Sequence, residues 1–114
     1  MDCDKKSNYV FVVAEIIEDA NLSEDMSLRT RRDFHRALAN LERLKIVDML
    51  MKGEICQCDI FPELGLSQST VSAYLSQLVR AKILKVRKDG TRKLYSIATD
   101  DVKRILSQIE KNIP

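Results

Sequence analysis

Tryptophan is missing from this chain, and phenylalanine and tyrosine contribute only three residues each to its 114. A core built from it must be mostly aliphatic. Proline and glycine are also scarce, at two and three residues. No repeat, low-complexity stretch or interdomain linker is visible. Long apolar runs are absent: nothing approaches the about 18 residues of a membrane span, and the longest candidate, Tyr9 to Ile17, is broken by Glu15. The start, Met1-Asp2-Cys3-Asp4, has only Lys5 and Lys6 as a basic flank. No small-residue cleavage site follows, so it does not read as a signal peptide, and a cytoplasmic location is expected. The cysteines are few and odd in number: Cys3, Cys56 and Cys58. That excludes a secreted disulfide framework and favours reduced thiols. There is no catalytic dyad, glycine-rich phosphate loop or paired-carboxylate site, and Cys-Gln-Cys lacks the spacing of a thioredoxin-type Cys-x-x-Cys. The only histidine, His35, lies in a charged helix and reads as a surface residue. The chain does not read as an enzyme.

What is present is a balance of 45% hydrophobic and 32% charged residues, which fits one soluble globular domain. The net charge of +2 conceals an asymmetry. From Ser67 to Ala98 seven basic side chains face one acidic one, Asp89, for a net of +6, so the rest of the chain carries −4. One end is therefore suited to a polyanion.

Apolar spacing predicts a helix over Tyr9–Ala20 that is apolar nearly all round. It reads either as a core helix or, since it calls for more partner surface than one small domain offers, as one buried against a second subunit. A polar break at Asn21–Ser27 and a second helix over Leu28–Ala39 should follow. Asn40 is a good N-cap for a third helix with Leu41, Leu44, Val47 and Leu50 at a spacing of three, stopped by Gly53. A short or kinked helix is expected from about Gln57 to Leu64, because Pro62 removes a backbone donor. Gly65 can end it in a left-handed conformation, and Ser67 can cap a helix with Val71, Leu75 and Leu78 inward that ends near Ala81. Two helices joined by a turn of about three residues form a helix-turn-helix. Ile83–Arg87 and Arg92–Ile97 read as strands around Asp89-Gly90, and Thr99 or Asp100 caps a last helix with Val102, Ile105, Leu106 and Ile109 on one face. The expected fold is thus mostly α (α+β): a winged helix-turn-helix of five helices, a β-hairpin wing and a C-terminal helix. Residues 1–24 hold the dimerisation helix, 57–81 the helix-turn-helix, 83–97 the wing and 99–113 the last helix.

A helix-turn-helix with a basic hairpin points to duplex DNA. The major groove admits one helix, and residues near its N-terminus meet base edges. The candidates are Gln68, Ser69, Thr70, Ser72, Ala73, Tyr74 and Gln77. In the wing, Arg87, Lys88, Arg92 and Lys93 should reach phosphates or the minor groove. The alternative from another class is a winged helix that binds only proteins, its lysines merely solvated.

Three stretches carry a resemblance to a known family. They are Ala37-Leu38-Ala39-Asn40-Leu41-Glu42-Arg43-Leu44-Lys45-Ile46, Glu54-Ile55-Cys56-Gln57-Cys58-Asp59-Ile60, and Leu64-Gly65-Leu66-Ser67-Gln68-Ser69-Thr70-Val71-Ser72 through the hairpin to Tyr95. With them the sequence resembles the ArsR/SmtB transcriptional repressors of bacteria and archaea; the second stretch is close to that family's Glu-Leu-Cys-Val-Cys-Asp-Leu box. The resemblance implies a homodimer, built through the terminal helices, that binds operator DNA and is in many members released by a metal ion or metalloid. Two departures stand out. Ala73-Tyr74 replaces the Arg-His often found after the serine at position 72. No His lies near Asp100, Asp101 or Asn112, so the zinc site of the family's last helix is not expected.

Cys56 and Cys58 match the family's thiol box, and thiolates suit As(III), Cd(II) or Zn(II). Two are too few, since As(III) wants about three sulfurs and structural zinc about four ligands. The family's third thiol position holds Phe61, and Cys3 is the remaining candidate, with Asp59 a possible oxygen donor. Redox sensing is a second reading, since a helix N-terminus lowers a thiol pKa. A Cys56–Cys58 bond would close a very small ring, so a bond involving Cys3 is favoured. In the third reading the thiols have no sensory role.

Overall fold

The computed structural model describes the backbone from residue 19 and the side chains from residue 27 to Pro114. The chain forms two units, Met1–Arg32 and Asp33–Pro114. Among the described residues five helices and three strands follow in order: α1 (Asp19–Leu38), α2 (Leu41–Leu50), β1 (Ile55–Cys56), α3 (Gln57–Leu64), α4 (Gln68–Arg80), β2 (Leu84–Asp89), β3 (Arg92–Ile97) and α5 (Asp100–Asn112). All but most of α1 lies in the second unit. The helix expected over Tyr9–Ala20 falls outside the described residues except for its last two positions. The polar break expected at Asn21–Ser27 is not a break: α1 runs through it without interruption. The stretch contains neither glycine nor proline, and polarity alone does not stop a helix.

The second unit closes on an aliphatic core. Ile46, Ile60, Val71, Leu75, Leu78 and Ile83 are wholly buried, with Ala37, Val47, Leu50, Leu84, Tyr95 and Ile97 around them. In α2 the inward face is Ile46, Val47 and Leu50, while Leu41 and Leu44 are 66% and 44% exposed. The spacing of three misleads here. At about 100° per residue, Leu41 and Leu50 stand on opposite sides of the helix.

Helix ends follow side-chain chemistry. Asn40 Oδ1 accepts from the Arg43 N–H at 2.9 Å, Ser67 Oγ from the Thr70 N–H at 3.2 Å and Thr99 Oγ1 from the Val102 N–H at 3.1 Å. α3 is short, carries Pro62 and ends at Gly65 with φ 68°. α4 ends in a Schellman motif: the Ile83 N–H donates to Leu78 O and the Lys82 N–H to Val79 O, with Lys82 itself left-handed at φ 66°.

The sheet is antiparallel in the order β1-β3-β2. The hairpin turns on Gly90-Thr91 rather than Asp89-Gly90, because Asp89 still pairs with Arg92. Gly90 takes φ 66°, the positive value a two-residue turn with glycine first requires. β1 has no counterpart in the sequence reading: two residues, Ile55 opposite Tyr95 and Cys56 opposite Leu94, add an edge to the hairpin.

Candidate nucleic-acid interface

α3, the left-handed Gly65 and α4 form a helix-turn-helix whose second helix turns Val71, Leu75 and Leu78 into the core. Its other side presents Gln68, Ser69, Ala73 and Ser76 exposed, with Thr70, Ser72 and Gln77 half-buried. No acidic side chain stands in the first turn of α4, and Arg80 is in the last. The N-terminal N–H groups therefore keep their positive potential toward an anion. The Thr70 hydroxyl is engaged in the cap, since Ser67 Oγ donates to it at 2.8 Å. Ser72 Oγ accepts from Gln57 Nε2 at 2.6 Å.

Tyr74 is half-buried against the core, and the Arg43 guanidinium lies over its ring at 5.2 Å from the centroid. The same guanidinium donates through Nε to Ala37 O at 2.7 Å and through Nη2 to Arg36 O at 3.3 Å. One arginine thus joins the end of α1, the start of α2 and the flank of α4.

In the wing, Lys88, Arg92 and Lys93 are exposed, and Lys88 stands directly opposite Lys93 across the ladder. Like charges in that position destabilise a free hairpin, and a polyanion relieves them. Arg87 is committed elsewhere. Its Nε and Nη2 donate to the two Glu54 carboxylate oxygens, both at 2.8 Å. The hydrogen bond from Arg87 holds the Glu54 carboxyl below its usual range, and Glu54 in turn raises Arg87. Arg87 ties the wing to Glu54, the residue before β1, instead of standing free.

A cleft of about 530 Å³ opens between the start of α3, the start of α4 and the wing tip. Gln57, Gln68, Ser72, Thr91, Arg92 and Lys93 line it, together with Cys56, Cys58 and Phe61. Sequence reasoning had given no role to Gln57, Thr91, Glu54 or Arg43. Nothing in a sequence marks Glu54 or Gln57, whose partners are 33 and 15 residues away. Thr91, next to Gly90 at the hairpin tip, was within reach of the turn signal.

Residues 41–86 match the family described as bacterial regulatory protein, arsR family. An arsenical resistance operon repressor of Staphylococcus aureus is 33% identical over 72 residues, covering 63% of this chain and 69% of the repressor. The solution structure of a homodimeric winged helix-turn-helix DNA-binding domain from Mycobacterium bovis, described as a possible ArsR-family transcriptional regulator, superposes with a TM-score of 0.74. It is 32% identical and covers 82% of this chain and 84% of that one. The chain belongs to the arsR family of transcriptional regulators. An HTH-type transcriptional regulator of Mycobacterium tuberculosis is 37% identical over 75 residues, which is 66% of this chain but 33% of that protein. The chain therefore spans about a third of that longer relative.

Within this arsR-family fold the thiol box lies at the β1–α3 junction. Cys56 is buried and Cys58 exposed, and the two are joined as a disulfide. This replaces the expectation that Cys3 would be the partner. The turn into α3 brings the two Cα atoms to 5.2 Å, within the ordinary range for a bridge. Cys3 lies outside the described residues. Among the described residues no group of three or more His, Cys, Asp or Glu gathers. Two sulfurs fall short of the donors that As(III) or a structural Zn(II) needs, so the described residues do not by themselves fit either ion. No helix among them is long and apolar enough to cross a membrane.

Proposed function

We propose that the chain is a cytoplasmic homodimeric repressor that binds a specific operator in duplex DNA and occludes a promoter. The observation that carries this reading is the Lys88–Lys93 pair, set beside an α4 surface of Gln, Ser and Thr. Two ammonium groups held opposite each other are costly without an anion. The neighbouring helix offers hydrogen-bonding groups of the size that reads base edges.

The Mycobacterium bovis domain is homodimeric, and this chain has a surface suited to the same assembly. An apolar groove of about 530 Å³ runs between α2 and α5, lined by Leu38, Leu44, Val47, Met51, Leu106 and Ile109 with charged residues at its edges. No residue of α5 is buried, although Val102, Ile105, Leu106 and Ile109 share one face. A second copy is the occupant we assign.

Binding to random-sequence duplex should weaken steeply as salt rises. Replacing Arg92 and Lys93 together with Ala should lower the slope of log affinity against log salt by about two, one for each phosphate no longer neutralised. Slopes measured by fluorescence anisotropy decide this. An unchanged slope would take the wing out of the interface, and no retention at low salt would leave the protein-binding alternative.

Cys56 and Cys58 are the point where we place a thiol-directed signal. Their bond favours oxidation over capture of As(III), Cd(II) or Zn(II). Closing it takes two electrons and two protons from the thiols, and a peroxide accepts them as water. Gel retardation should differ between reduced and peroxide-treated protein and not in Cys56→Ser/Cys58→Ser. Retardation unchanged by peroxide and by all three ions would leave the cysteines without a sensory role.

A further inference from the structure

Gln57 is the first residue of α3, between the two cysteines, and it is half-buried. Its Nε2 crosses to α4 and donates to Ser72 Oγ at 2.6 Å. Both side chains open into the cleft that also holds Gln68, Thr91, Arg92 and Lys93. A serine hydroxyl has one proton and two lone pairs. With an amide N–H occupying a lone pair, Ser72 keeps its own proton to give away. The bond to Gln57 thus fixes where Ser72 Oγ stands in the second turn of α4, with that proton and one lone pair still available.

We propose that Gln57 is a positioning residue for sequence reading: it holds the Ser72 hydroxyl in one place, from which its proton meets a base-edge acceptor in the major groove. Purine N7, guanine O6 and thymine O4 accept there, whereas the adenine and cytosine amino groups only donate. A base step that offers no acceptor where the placed proton points loses this bond. Valine, which stands at this place in the thiol box that the sequence resembles, has no N–H to give and leaves the hydroxyl free to rotate. The inference rests on α4 being the DNA-reading helix.

The test uses full-length protein and a duplex enriched from a random library by the wild type. Affinities for that duplex and for an unrelated one of equal length are measured at one salt concentration, along with melting temperatures. Gln57→Val should weaken binding to the enriched duplex about tenfold. Its affinity for the unrelated duplex and its melting temperature should stay at wild-type values. Ser72→Ala should do the same, and the double variant should lose no more than either single one. Equal losses on both duplexes, no loss on the enriched one, or additive losses in the double variant would each overturn the role of Gln57. A wild type that enriches no sequence would instead overturn the DNA-reading function, and this inference with it.

Discussion

Leu75→Ala should lower the unfolding free energy by about 2–5 kcal/mol. Leu75 is wholly buried on the inward face of α4, between Val71 and Leu78 and within the cluster that includes Ile46, Ile60 and Ile83. Truncation removes three carbons from water-free packing and leaves a space that the surrounding core can fill only in part. Globular domains are stable by only about 5–15 kcal/mol, so the variant should be partly unfolded well below the melting temperature of the wild type. Ser76→Ala, one residue along and exposed, should change stability by less than about 0.5 kcal/mol. Urea titrations followed by circular dichroism, at one protein concentration because assembly adds to stability, compare the two. A loss below about 1 kcal/mol for Leu75→Ala would mean that α4 is not anchored as described.

The helix-turn-helix was legible because its signals are local. Gly65, Ser67 and the 71, 75, 78 spacing each act within a few residues, and the structure places all of them as the spacing predicts. The capping residues Asn40 and Thr99 belong to the same class. Signals failed where geometry depends on something distant or on exact phase. The leucines of α2 looked like one stripe, but a period of three rotates away from a period of 3.6, and Leu41 ends on the outside. A two-residue strand such as β1 has no periodicity to read, yet it positions Glu54 to capture Arg87. Tyr74 looked like a groove residue by its place in α4. The Arg43 guanidinium over its ring comes from outside the helix-turn-helix and has no local signal. Polarity at 21–27 suggested a loop, although no residue there forbids a helix.

The second large effect concerns assembly. Ile105 and Ile109 are 48% and 45% exposed on a helix with no buried residue, beside the groove between α2 and α5. Covering such side chains gains about 1.5–3 kcal/mol each when burial is complete, and a carboxylate placed there must be stripped of water without a partner. Ile105→Glu/Ile109→Glu should therefore weaken dimerisation at least a hundredfold while leaving the monomer fold and its circular dichroism intact. Loss of the dimer should cost selective DNA binding far more than non-specific binding, because a monomer engages one half-site and a dimer engages two.

Enrichment of duplexes from a random library, with wild type and Ile105→Glu/Ile109→Glu in parallel, tests the central claim most directly. The wild type should enrich an inverted repeat whose half-sites are centred about 10 base pairs, ~34 Å, or a multiple of one helical turn apart. The variant should enrich a single half-site or nothing. Enrichment of no sequence by the wild type, or the same single half-site from both proteins, would contradict a dimeric, sequence-reading regulator.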